Sequence, residues 1–138
     1  MATWTFAPIG TVRTSAAEKP AAPRQASESA IEGELDLTSY PQAEDALAGL
    51  EAFSHVWVLY VFHHNLDFTK AKVSPPRSDQ KVGVLATRSP HRPNPLGLSL
   101  VEIVEIRDRR VRVRGVDMLD GTPILDLKPY LPYADVAP

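Results

Sequence analysis

Apolar and polar positions alternate in short runs along much of this chain, and a period of two predicts strands. Ile31 to Leu37 alternates apolar and acidic residues, the pattern of a half-buried strand. Arg110 to Val116 alternates Arg with Val, which points Val111 and Val113 inward and three arginines outward. Ser54 to His63, SHVWVLYVFH, is β-branched, aromatic and almost wholly apolar, which predicts a strand covered on both faces. Thr3 to Arg13, Val82 to Thr87 and Leu98 to Ile106 add further strands, and Ile124 to Leu127 a short one that Pro129 ends. Only one stretch keeps a helical period: Ala43, Ala46, Leu47, Leu50 and Phe53 recur on one face, with Pro41 near the first turn and Glu44 and Asp45 at the positive end of the dipole. Glu18 to Ser29 has no apolar period and reads as a long loop, and a loop of that length in a small domain is usually functional or disordered. With no βα alternation and no repeat, the expected fold is mainly β. It is a single compact β-barrel with one amphipathic helix and long functional loops, since closure leaves few open edges.

Composition narrows this further. At 138 residues and 15.2 kDa, with 43% hydrophobic residues, the chain suits one domain spanning 1–138. Cysteine is absent, which removes thiolate chemistry, Cys-based metal sites and a disulfide framework. The N-terminus MATWTFAPIG has no leader pattern, and the longest apolar run, Val56 to Phe62, is too short to cross a bilayer; the expectation is a cytoplasmic protein with no membrane partner. Net charge is −2, yet the charges are segregated. Between residues 70 and 95, Lys70, Lys72, Arg77, Lys81, Arg88 and Arg92 stand against only Asp79, and between 107 and 114 five arginines stand against Asp108. Such segregation either faces a phosphate backbone or is solvated strand surface.

Known phosphate-loop, dinucleotide, zinc-protease and serine-hydrolase signatures are all missing from the sequence. His63 and His64 are adjacent, so on a strand they point to opposite faces and cannot share a metal; no metal site is expected. Ser54 beside His55 reads as packing. Three segments are dense in costly residues. In Ala86 to Ser99, ATRSPHRPNPLGLS, the prolines stiffen a loop that holds Arg88, Arg92 and Asn94 ready for a phosphate or carboxylate, or for neighbouring carboxylates. In Asp117 to Tyr130, DMLDGTPILDLKPY, a tight turn at Asp120-Gly121 precedes a strand on which Asp126 and Lys128 share a face, with Tyr130 within reach. That is either a proton-handling group or a buried ion pair. Ala22 to Gln25 adds an Arg-Gln pair in the long loop.

Together these segments resemble the TsaA or TrmO-like family of β-barrel, S-adenosylmethionine-dependent tRNA methyltransferases. The matching stretches are PRQ at 23–25, LEAFSHVWVLYVFH at 50–63, PPR at 75–77, GVLATRSPHRPNPLGLS at 83–99 and DMLDGTPILDLKPYLPYAD at 117–135, in family order. The resemblance implies methylation of threonylcarbamoyladenosine beside the tRNA anticodon, and a homodimer with the donor bound at or near the subunit interface. Family members commonly carry a smaller C-terminal domain after the barrel, and with the sequence ending at Pro138 the expectation is the barrel domain alone. Carried onto matching positions, donor binding falls to Arg24, Gln25, Ala26, His63, His64, Arg88, Leu98, Asp117, Met118, Leu119 and Asp120. Asn94, Asp126, Lys128 and Tyr130 fall nearer the reacting nitrogen. The rival readings are a methyltransferase of the same fold acting on a small molecule or another RNA, and a donor-binding or RNA-binding module without catalysis.

Overall fold

The computed structural model describes residues 2–15, 31–67, 70–75 and 79–138. Six antiparallel strands close into a barrel: β1 (Gly10–Thr14), β2 (Glu32–Asp36), β3 (His55–Val61), β6 (Leu96–Arg107), β7 (Arg110–Arg114) and β8 (Pro123–Pro129), in the order β1-β2-β7-β6-β3-β8. A two-stranded hairpin, β4 (Lys72–Val73) with β5 (Val82–Gly83), stands apart on the excursion from β3 to β6. Two short helices complete the described residues, α1 (Ala43–Leu47) and α2 (Pro132–Asp135).

Period-two alternation fills the barrel. Val12, Leu35, Val56, Val58, Val101, Val111, Val113 and Ile124 all point inward and are essentially inaccessible. Each such side chain contributes roughly 1.5–3 kcal/mol on leaving water. Val111 and Val113 face the core as expected, between outward Arg110, Arg112 and Arg114.

Several expectations are corrected. The opening strand starts at Gly10, not Thr3: Pro8 has no N–H, and the first ladder bond is that from Ile9 N–H to Ile124 O at 2.8 Å. Trp4 and Phe6 are left exposed. The helix predicted through Phe53 ends at Leu47, because the chain turns left-handed at Gly49 (φ +95°) and resumes as a 3-10 turn over Leu50–Ala52. Strand β3 is buried on one face only; Trp57 and Leu59 on the other are partly open. Val82 to Thr87 yields just two strand residues before a 3-10 turn, Val84–Ala86, where Thr87 N–H and Oγ1–H both bond Val84 O.

The arginine run of β7 does not present a free basic face. Arg110 pairs with Glu34 at 3.4 Å, Arg112 with Glu105 at 3.9 Å, and Arg114 with Glu102 at 3.3 Å and Glu32 at 3.8 Å. The registers β2–β7 and β6–β7 set these carboxylates beside the guanidinium groups, so the ladder neutralises itself across three strands.

Strand alternation decides where the loops go. Running up β1, down β2, up β3, down β6, up β7 and down β8, the chain makes its β1–β2, β3–β6 and β7–β8 connections at one end of the barrel. The opposite end carries the β2–β3 connection with α1, and the two-residue β6–β7 turn at Asp108 and Arg109.

Candidate functional site

The end that carries the β1–β2, β3–β6 and β7–β8 connections also carries most of the residues singled out in the sequence. His63 and His64 follow β3 directly, Arg88 and Asn94 lie on the β3–β6 excursion, and Asp117 to Asp120 form the β7–β8 connection. Arg24, Gln25 and Ala26 lie outside the described residues; the chain leaves β1 at Thr14 and enters β2 at Glu32, both at this end.

The Pro-rich loop is stiff, as its sequence predicts, and hydrogen bonds show how. Ser89 N–H donates to Thr87 Oγ1 at 3.2 Å and His91 N–H to Ser89 Oγ at 3.1 Å. Arg92 turns back on the loop, with Nη1 donating to Thr87 O at 2.9 Å and Ser89 O at 3.1 Å. Arg92 is therefore a brace, whereas Arg88, at the end of the same loop, is exposed. The loop joins β3 through Phe62 N–H and Pro95 O at 2.8 Å.

His63 and His64 are not on opposite faces of a strand. β3 ends at Val61, the pair sits in a turn, and the rings lie side by side, tilted by 39° with centroids 4.0 Å apart. Burial holds the His63 imidazole below its ordinary value, the adjacent His64 adds to that, and a bond with the Val61 backbone partly offsets it.

In the β7–β8 connection the four residues divide. Asp117 is half-buried, and its Oδ1 accepts from Ser99 Oγ at 2.7 Å. Met118, expected at the donor, is instead buried in the core, 2% exposed main chain and side chain together, so it presents almost no surface to a ligand. Asp120 is exposed and its Oδ1 accepts from Thr14 N–H at 2.9 Å. Gly121 N–H to Val12 O (2.8 Å) and Val12 N–H to Thr122 O (2.9 Å) pin the loop across β1.

Asp126, Lys128 and Tyr130 are not gathered at this end. Asp126 stands opposite Leu59 and Lys128 opposite Trp57, and their side chains meet at 3.2 Å on the outside of the barrel, 46% and 74% exposed. The buried ion pair envisaged from sequence is thus a surface pair. Tyr130 lies farther down, its N–H on His55 O and its ring edge-on to His55 and Trp57. At about 3.3 Å per residue, the five residues from His55 to Tyr60 put Tyr130 roughly 17 Å below the loop end. Leu98 also faces outward, opposite Leu59, and is 55% exposed.

Two residues that sequence reasoning missed complete the site. Tyr60 OH lies 3.1 Å from Ser99 Oγ, and both are buried. The signal was present: Tyr60 keeps the inward phase of Val56 and Val58, and Ser99 that of Val101, so polar atoms occupy positions otherwise given to valine. A recess lined by Thr38, Glu44, Asp108, Arg109 and Arg110 lies at the opposite end and contains none of the candidate donor-binding or catalytic residues.

A six-stranded closed barrel whose charged and histidine-bearing loops emerge at one end defines the class. The model of the tRNA-methyltransferase O N-terminal domain matches residues 11–136, and the chain belongs to that family. It is 42% identical, over its whole length and 62% of the relative, to a tRNA (adenine(37)-N6)-methyltransferase of Escherichia coli. A probable S-adenosyl-L-methionine-binding protein of Methanothermobacter thermautotrophicus is 43% identical over 94% of this chain and 90% of the relative. The crystal structure of TrmO from Pseudomonas aeruginosa superimposes with a TM-score of 0.81 at 44% identity, covering 99% of this chain and 60% of that one. The chain thus spans about three-fifths of the E. coli and P. aeruginosa proteins.

Proposed function

We propose that this protein is an S-adenosylmethionine-dependent methyltransferase acting on N6 of threonylcarbamoyladenosine at position 37 of tRNA. The observation that carries the reading is the similarity, along this chain's whole length and three-fifths of the relative's, to the E. coli protein named as a tRNA (adenine(37)-N6)-methyltransferase. The site supports it chemically. Asp117 and Asp120 offer carboxylate acceptors for ribose hydroxyls, Arg88 offers a guanidinium for the methionine carboxylate, and Leu98 an apolar contact. His63, His64 and the Met118–Leu119 main chain border the same end, with Arg24, Gln25 and Ala26 assigned to the donor by family resemblance.

S-adenosylmethionine supplies a methyl group already activated on a sulfonium, so the protein needs neither a strong nucleophile nor a metal. Its work is alignment, and holding reactants in line can remove roughly 7–11 kcal/mol of barrier in well-oriented systems. Asn94, at the mouth of the barrel, orients the acceptor base, and Asp126 takes the proton that the acceptor nitrogen sheds. For Asp126 to do so, two copies must associate. The outer face of β3 and β6 supports a homodimer: Leu96 and Leu98 are exposed there, 42% and 55%, and Asp126 aligns with Leu59 on that face. Lys128 borders Asp126, and Tyr130 props the lower edge against Trp57. No helix among the described residues is long and apolar enough to cross a membrane, and a tRNA substrate supports the reading of a cytoplasmic enzyme.

The name of the Methanothermobacter thermautotrophicus relative, of which this chain covers 90%, supports a second reading, donor binding without transfer. Incubation with labelled donor and tRNA containing or lacking threonylcarbamoyladenosine, followed by nucleoside analysis, separates the two. Label in the N6-methyl nucleoside of the modified tRNA alone is expected; donor binding with no label in any tRNA would leave only the binding module.

A further inference from the structure

The wall of the barrel contains a hydrogen-bonded line of which the proposed chemistry uses only the last member, Asp117. Tyr60 of β3 bonds Ser99 of β6, and Ser99 bonds Asp117 in the β7–β8 connection. Tyr60 and Ser99 are 6% and 3% exposed, so neither meets a ligand directly. A buried hydroxyl costs free energy unless it is paired, and valine serves the neighbouring inward positions without that cost.

The direction of the line follows from proton counting. A carboxylate only accepts, so Ser99 spends its one proton on Asp117 at 2.7 Å. Tyr60 must then donate to Ser99. Burial, and next the charge of Asp117, push the phenol well above its ordinary value, while Ser99 and the exposed Arg88 pull it partly back; the proton stays on Tyr60 throughout the working range. The ring is equally fixed. It lies against Gly97, where any added Cβ would overlap it, and Phe62 packs edge-on at 5.3 Å.

We propose that Tyr60 and Ser99 are positioning residues that aim the Asp117 carboxylate at the ribose hydroxyls of the methyl donor. This rests on the reading of Asp117 as a donor ligand. A carboxylate offers about four acceptor sites, so one strong bond to Ser99 sets its orientation without exhausting it. Tyr60 on β3 and Ser99 on β6 anchor that bond to two strands of the barrel and not to the loop alone.

The test measures S-adenosylhomocysteine and its 3′-deoxyribose analogue by calorimetric titration on the full chain, with melting checked for each variant. The parent prefers the ribose form. Ser99→Ala lowers affinity for that form about tenfold, the scale of a hydrogen bond to a charged group, and Tyr60→Phe about threefold. Both leave the deoxy analogue nearly unchanged, so the preference narrows. Equal weakening of the two ligands, or an unchanged preference, overturns the proposal. If Ser99→Ala does not fold, Tyr60→Phe, which removes a single oxygen, carries the test. Asp117→Ala separates the two levels: no loss of S-adenosylhomocysteine affinity would remove Asp117 from the donor site altogether. Loss of ribose preference in Asp117→Ala, but not in Tyr60→Phe or Ser99→Ala, would leave the donor site standing and overturn the positioning role.

Discussion

Replacing Arg110, Arg112 and Arg114 together by Gln asks whether the β7 arginines hold the barrel or hold RNA. In the structure each faces a carboxylate from a neighbouring strand, at 3.3–3.9 Å, with side chains about half exposed. Pairs of that kind are worth about 0.2–1 kcal/mol each, so the triple variant should lose roughly 1–3 kcal/mol. The loss is reinforced by Glu32, Glu34, Glu102 and Glu105, which are left unopposed. For a domain of this size that lowers the melting temperature by about 3–10 °C in dilute buffer. The deficit should shrink at about 1 M salt, where the screening length falls to about 3 Å. Because these charges are already neutralised, the dependence of tRNA affinity on salt should match that of the parent. Melting scans at two salt concentrations and filter-binding of tRNA against salt are the assays. Three arginines that met phosphate would instead lower the log–log slope by about 0.9 each on a duplex, or somewhat less on a single strand. A slope reduced by two or more units with an unchanged melting temperature would refute the neutralised ladder.

Other outcomes follow from single sites. Asp108 and Arg109 adopt φ +55° and +63° in the two-residue β6–β7 turn, a conformation that favours glycine, so Arg109→Gly should raise stability by about 1 kcal/mol, read as a melting shift of about 3–4 °C. His63 should titrate below its ordinary 6.5, so its neutral form favours the fold; that contribution is complete above the unfolded value and fades as pH falls through the folded one. His64→Gln should move the His63 midpoint, followed by NMR, back upward; no movement would remove His64 as a cause. Asp126→Asn breaks only an exposed pair with Lys128 and keeps the Oδ1 that accepts from Leu127 N–H, so melting should change by less than about 1 kcal/mol equivalent. Single-turnover rate should nevertheless fall well below the parent; normal turnover would take Asp126 out of the chemistry.

Much of the fold was legible in the sequence because alternation is local: which side of a strand a residue faces depends on its position in the run. Val111 and Val113 turned inward on that rule alone, and a mainly β closed architecture followed from several such runs. Stiffness of the Pro-rich loop was legible for the same reason, since proline restricts its own neighbourhood. Pairing is not local. The charge of the arginine run is cancelled by Glu32 and Glu34 on β2 and by Glu102 and Glu105 on β6, and only the registers bring those residues alongside. Tyr60, Ser99 and Asp117 lie 39 and 18 residues apart in sequence, and no periodicity relates them. The same holds for Asp126, Lys128 and Tyr130, near one another in the chain yet strung along an extended strand, with Tyr130 carried away from the loop end. What a residue faces was written in its own segment, and what it meets was decided by the closing of the barrel.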